Sequence, residues 1–377
     1  MRNVRPWVFV LFLGLASLSR AQTGRIDITQ AMMPLTITGS GPYRLVENVR
    51  VTNAGVHGIS VQASDVNIDL RGRELRGPGR DAGCGIYQAA DFSGLTVSNG
   101  AIVEWWHDGS PAAEAGHGVL ALGSDNMFDG IQLMTNTVGA FVTGRSVVSN
   151  CNVFAGRTGI RTGAKATVFF VTAYGLQETG FELGPASHAI LCTCYGARTG
   201  YAAASDAFLH MCTAYDNRET GIEAQEHVHI RNCSTYKNLA GIRAGSHAEI
   251  LNTSANGNRS HGIQAGHHSV LIGTASTENG EDGIRVMAES EVVSCSGSEN
   301  GSAGIRVLET GCLVESNKTV GNSWGIRAEA PRNTIVGNVS GNNREQDYFA
   351  SEGNTVGEIL PFITARSNAV EDANFQL

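Results

Sequence analysis

Short runs in which apolar and polar residues alternate recur along the chain: Ile222-Glu223-Ala224, Ile242-Arg243-Ala244, Ile263-Gln264-Ala265, Ile284-Arg285-Val286, Ile305-Arg306-Val307 and Ile326-Arg327-Ala328. A period of two belongs to a half-buried β-strand, so Ile and the following Ala or Val face a core while the middle residue faces solvent. A Gly precedes each run. Such pairs of Gly and an apolar or aromatic residue occur eleven times from Gly118-Val119 to Gly325-Ile326, always 20 or 21 residues apart. A fixed period of about twenty residues marks a solenoid, in which each repeat buries its apolar face by stacking on its neighbours.

Two solenoids have so short a period, the leucine-rich repeat and the parallel β-helix. Leu is scarce at the repeating positions and helical spacing is absent. The units are β-prone stretches broken by Gly, Asn, Ser and Thr, which predicts strands joined by tight turns. Further columns keep the same register. Cys151, Cys192, Cys212, Cys233 and Cys295 share a small-residue column with Thr253, Thr274 and Ser316. Phe154, Tyr174, Tyr195, Tyr215 and Tyr236 form an aromatic column, and Asn217, Asn238, Asn258, Asn279 and Asn300 an amide column whose side chains can bond along the stack. The prediction is an all-β, single-domain, right-handed parallel β-helix of about thirteen coils.

Its expected limits are a signal peptide over residues 1–21, an N-terminal cap over 22–57, the helix over 58–345 and a C-terminal cap over 346–377. Arg2 and Arg5 followed by the apolar stretch from Trp7 to Leu18 and by Ser19-Arg20-Ala21 read as an export signal too short to span a membrane. A secreted, periplasmic or surface location follows. The formal net charge of −8 argues against nucleic acid and anionic membrane surfaces as partners. In-register Cβ vectors suit disulfides poorly, so the cysteine column is expected to be a ladder of buried thiols.

With these columns in view, the chain resembles the bacterial right-handed parallel β-helix proteins of the pectin-lyase-like superfamily. Its opening, Leu35-Thr36-Ile37-Thr38 to Gly41-Pro42-Tyr43-Arg44-Leu45, its Val66-Asn67-Ile68-Asp69-Leu70-Arg71-Gly72 and its closing Ala373-Asn374-Phe375 are similar to an exported, largely uncharacterised subgroup. The resemblance implies a polysaccharide partner, since that superfamily includes pectate and alginate lyases, uronate epimerases, polygalacturonase-type hydrolases, tailspikes and binding-only members. The polygalacturonase pattern is missing, because Gly116-His117-Gly118 has no Asp-Asp before it; the Asp-Pro-His-Asp motif of mannuronan epimerases is missing too.

Histidine carries the strongest chemical signal. Eight of the eleven lie between His188 and His268. The repeat register puts His227, His247 and His268 in one column, preceded by Asp206 and followed by Glu289. It puts His188, Phe208, His229 and Glu249 in an outward column beside it, with His210 and Arg231 beyond. Uronate elimination or epimerisation needs a base for the proton α to a carboxylate and a cation to neutralise that carboxylate. His229 as base, Glu249 as its orienting group and Arg231 or Arg243 as neutraliser fit those roles, with His247 nearby. Asp206 and Glu249 are a possible carboxylate pair for a hydrolase. His227, His247 and His268 are the residues that would hold a divalent zinc or copper ion as cofactor. A non-catalytic surface or interaction protein, with the histidines as a polar turn surface, is the alternative. Substrate contacts are expected from Trp105 and Trp106 in the longest turn, one of them a sugar platform and the other packed on the coil, and from the Arg column Arg243, Arg285, Arg306 and Arg327, which can clamp carboxylates or sulfates of an acidic polysaccharide.

Overall fold

A computed structural model describes residues 24–108, 115–361 and 373–376. The expected signal peptide lies outside the described residues, as do most of the extra residues in the turn after Trp106. Every strand pairing among the described residues is parallel, and the sole helical element there is a 3-10 turn, Gln30–Met32. One sheet of fifteen strands holds the Gly-Ile runs, and the remaining strands stack two per coil along the rest of the wall. A representative coil has a first strand Thr220–Ala224, a second His229–Arg231 and a third Ser234–Tyr236. The next repeats this with Ala240–Ala244, Glu249–Leu251 and Ser254–Asn256.

The stack therefore has about fifteen coils rather than thirteen. The two additional rungs come from the stretches expected to be caps: Leu35–Ile37 pairs with Ile59–Val61, and Gln346–Ala350 pairs with Trp324–Ala328. Both lie beyond the regular Gly clock, so periodicity alone did not include them. At the C-terminal end, Asn374 extends the order further, because its Oδ1 accepts from Asn338 Nδ2 at 3.1 Å.

The columns account for the cohesion. Ile222, Ile242, Ile263, Ile284 and Ile305 are fully buried in one row. The Gly clock has a steric cause. A Cβ on Gly241 would lie 2.4 Å from Gly262 O and 2.8 Å from Asn258 Nδ2, so the stacked coils leave no room there for a side chain. The amide column is buried and continuous: Asn217, Asn238, Asn258 and Asn279 each donate from Nδ2 to Oδ1 of the next Asn at 2.9–3.1 Å, and the same oxygens accept backbone N–H groups. Cys151, Cys192, Cys212, Cys233 and Cys295 are buried free thiols, as their register predicts. Phe154, Tyr174, Tyr195, Tyr215 and Tyr236 stack with ring centroids 4.9–5.2 Å apart.

Between the second and third strands each coil turns through a single residue with positive φ, for example Asn232 at 54° and Asn252 at 48°. Because this turn has no length to spare, the second and third strands present closely adjoining columns to solvent.

Candidate functional site

The second strands of consecutive coils build the site. Their alternation buries the middle residue, as in His229-Ile230-Arg231, and turns the two flanking side chains outward. Parallel register sets His229 beside Phe208 and Glu249, and Arg231 beside His210. Glu249 is the centre of the group. Its Oε2 lies 2.7 Å from His229 Nδ1, and its Oε1 accepts from Arg231 Nη2 at 2.7 Å. An ionised carboxylate can only accept, so Nδ1 of a neutral His229 carries the proton and Nε2 keeps its lone pair. Partial burial alone would raise the Glu249 carboxyl, but the hydrogen bonds from Arg231 and His229 outweigh it and hold the pKa below the ordinary value.

Phe208 packs in the middle of the basic groups. Its ring centroid lies 5.6 Å from that of His188, 5.8 Å from His210 and 6.3 Å from His229, and the Arg231 guanidinium sits 5.7 Å from it. His210 Nε2 is 3.0 Å from Asn232 Nδ2, whose amide donates, so His210 accepts there. Burial lowers the pKa of His188 and favours its neutral form.

The other expected residues fall elsewhere. His247 and Asp206 occupy exposed turn positions with φ of 58° and 60°, on the turns leading into the second strands and outside the hydrogen bonds of the His229 group. Asp206 lies on the coil of Phe208, two coils from Glu249, so the two carboxylates do not face one another as a pair. His227, His247 and His268 do stack, with centroids 4.6 and 4.9 Å apart and planes 9° and 22° from parallel. That geometry corrects the metal reading: ring nitrogens have their lone pairs in the ring plane, and parallel planes do not aim three of them at one ion. Among the described residues no group of three or more His, Cys, Asp or Glu is placed to hold a metal.

Trp105 is fully buried, and its Nε1 donates to Leu75 O at 3.3 Å, so it cannot serve as a sugar platform. It is the member of the pair that packs on the coil: strict alternation from the buried Ile102 would turn it outward, but Glu104, with φ of 64°, breaks the alternation and brings Trp105 inward. Trp106 is half-buried and donates from Nε1 to Asp108 at 2.6 Å.

The Arg column lies on the first-strand sheet, around the turn from His229, which leaves Arg231 as the cation beside His229. Arg243 is exposed, over a shallow depression of ≈ 210 Å³ that it shares with Glu223, Gln264 and Met287. Arg285, Arg306 and Arg327 are half-buried; Arg306 and Arg327 are engaged rather than open clamps, and Arg285 lies against His261. Arg306 bonds Glu329 at 2.8 Å and Asp282 at 3.4 Å; Arg327 pairs with Glu329 at 3.0 Å and lies over Trp324; Arg285 reaches His261 Nε2 at 3.1 Å. His261, Glu281 and the buried Asp282 were not singled out by sequence reasoning. The signal was present in the residue before each clock Gly: placing His261 and Asp282 in that column sets them on adjacent coils. Both His261 nitrogens are engaged, Nδ1 by the Asp282 backbone N–H at 3.3 Å and Nε2 by Glu281 at 2.8 Å, so the group ties coils together and leaves no lone pair for a substrate.

No family model and no curated protein matches the chain. Among solved structures, the A-module of the mannuronan C-5 epimerase AlgE6 of Azotobacter vinelandii is similar over 85% of this chain and 90% of its own, at 13% identity and a TM-score of 0.49. The periplasmic alginate epimerase AlgG is similar over 94% and 83%, at 11% identity and 0.39. The catalytic unit of a GH87 alpha-1,3-glucanase from Streptomyces thermodiastaticus is similar over 94% and 68%, at 12% identity and 0.44. Likenesses this distant carry no argument about this chain, so fold and chemistry are read from its own strands and residues.

Proposed function

We propose that this chain is an exported β-helix protein that binds an acidic, uronate-containing polysaccharide across its second-strand face and abstracts a proton from it, as a lyase or epimerase does. The observation that carries the reading is the His229–Glu249–Arg231 group. Glu249 fixes the tautomer and orientation of His229, whose Nε2 then faces solvent as a base with its lone pair free. Arg231, anchored through one nitrogen to Glu249, keeps further N–H donors for a substrate carboxylate, and neutralising that carboxylate acidifies the carbon-bound proton beside it. In elimination, Nε2 takes the C5 proton, the C5–H electrons form the C4–C5 double bond, and the C4–O pair leaves with the departing oxygen, which is protonated from water. In epimerisation the C5–H electrons stay at C5 as a carbanion delocalised into the neutralised carboxylate, the C4–O bond remains intact, and water delivers a proton to the opposite face of C5.

The test uses purified protein on polygalacturonate and alginate, following unsaturated chain ends by ultraviolet absorbance and epimer content by NMR. Turnover is expected, and His229→Ala should lower it by about 10²–10⁴-fold, the usual contribution of general-base catalysis. Its thermal midpoint should stay close to wild type, since the side chain is 45% exposed. Binding without turnover on both polymers would sink the proton-abstraction reading and leave a binding module.

A further inference from the structure

The one-residue turns between second and third strands hold an anomaly. In this column stand Asn99, Gly130, Asn150, Asn232, Asn252, Gly273, Ser294, Ser316 and Gly337, all with positive φ. Gly tolerates that conformation, and Asn and Ser can offset its cost by local hydrogen bonds. On three consecutive coils the column instead reads Phe170, Leu191 and Met211, with φ of 53°, 54° and 54°. Large side chains are uncommon there and pay a steric cost. Their backbones bond as in the other coils: Leu191 N donates to His210 O at 3.0 Å and Met211 N to Arg231 O at 3.0 Å, which is the pattern of Asn232 N to Leu251 O at 3.0 Å. Burial does not offset the cost, because Phe170, Leu191 and Met211 are 54%, 41% and 48% exposed. Backbone strain kept without a packing gain is a mark of function.

The strip adjoins the His229 face without a break. Phe169 and Ile190, the strand residues just before Phe170 and Leu191, share a column with His210 and Arg231, and the Phe169 and Phe170 rings meet edge to face at 5.7 Å. A ligand lying along the coils thus meets imidazoles and a guanidinium on one side and a row of apolar side chains on the other, repeating at about 4.8 Å. Unsubstituted uronates offer carboxylates and hydroxyls, which suit the first side and gain little from the second.

We propose that the Phe170–Leu191–Met211 strip is a subsite for acyl substituents, so that the polymer recognised is an O-acylated acidic polysaccharide whose ester methyl groups seat against the strip while its carboxylates face Arg231. This rests on the uronate reading above and names the polymer more narrowly. Asn already stands at this turn on neighbouring coils, so it is the substitution of choice: it removes the apolar surface and suits the backbone.

Wild type and the triple variant Phe170→Asn/Leu191→Asn/Met211→Asn are compared by calorimetric titration with polygalacturonate and alginate, each before and after chemical O-acetylation. Wild type should bind at least one acetylated polymer fivefold or more tightly than its parent. The triple variant should lose that preference, keep its affinity for the parent, and melt at the same or a higher temperature. Equal affinity of wild type for parent and acetylated forms, or a preference that survives in the variant, overturns the inference and leaves the uronate reading standing. Binding to none of the four polymers overturns both. A wild-type dimer in sedimentation velocity that the variant renders monomeric assigns the strip to contact between two copies and also overturns the inference. If the triple variant folds poorly, the single Leu191→Asn change in the middle of the strip carries the same comparison.

Discussion

His117 shows how placement changes a residue that the sequence presents as ordinary. It is 2% exposed on the first-strand sheet, with its ring 6.3 Å from that of Phe141. Burial, with the positive charge of Arg161 as a lesser cause, lowers its pKa from 6.5 to about 4. The folded value is thus below the unfolded one, and the unfolded chain takes up a proton first as pH falls. Stability should therefore drop by on the order of 3 kcal/mol between pH 6.5 and pH 4 on this account, with no further loss from this group below pH 4. His117→Gln should remove that component. Urea midpoints recorded across the window in both proteins check it; parallel curves would refute the assignment. The Gly-His-Gly sequence around His117 belongs to a coil boundary, and its chemistry is set by what covers it.

At the scale of the coil, the amide ladder does what no isolated turn could. Asn279 donates to Asn300 Oδ1 at 2.9 Å and to Ala255 O at 3.0 Å, and its own Oδ1 accepts from Asn258 N and Nδ2, each at 3.0 Å. Asn279→Leu would strand those buried partners and place a branched side chain where the amide lies flat. Leaving a buried polar group unpaired costs about 1–3 kcal/mol, and more than one is left, so a loss of roughly 3–5 kcal/mol is expected in urea denaturation. An effect below about 1 kcal/mol would mean that the ladder is incidental to stability.

At the scale of the whole molecule, every coil contacts chiefly the one before and the one after, which makes stability a sum of nearest-neighbour terms. Deleting residues 284–304 removes one coil and joins Gly283 to Ile305, with the Gly clock, the Ile row and the amide column all kept in register. The shortened chain should fold with the same β-rich circular dichroism and a modestly lower thermal midpoint. A molten or aggregated product would show that the coils depend on longer-range order than stacking. The His229 group lies outside the deleted coil, so the binding and turnover proposed for it should be the same in the shortened protein as in the full chain.

The order of residues in this chain determined a great deal by itself. A Gly every 20 or 21 residues, Ile and Ala alternating with Arg, and columns of Asn, Cys and Tyr specify a stacked parallel β-helix, because in a repeat each position has the same neighbours one coil away. The same logic placed His229 beside Glu249 and Arg231 within its strand, two contacts that need only register and strand direction. What register cannot supply is the environment between columns and the direction in which a side chain turns. Trp105 and Trp106 are adjacent in sequence, yet one is core and the other half-buried, since the positive φ of Glu104 breaks the alternation just before them. Asp206 and His247 share the histidine-rich region but sit on turns, apart from His229. The planes of His227, His247 and His268 became parallel only through stacking, and that removed the convergence a metal requires. Arg285, Arg306 and Arg327 faced outward as the alternation demands, and the tertiary structure then gave Arg306 and Arg327 Glu329 and Asp282 as partners and set Arg285 against His261. The anomaly at Phe170, Leu191 and Met211 emerged only with backbone angles, because the sign of φ is decided by the tightness of a turn and leaves no mark on an apolar residue type.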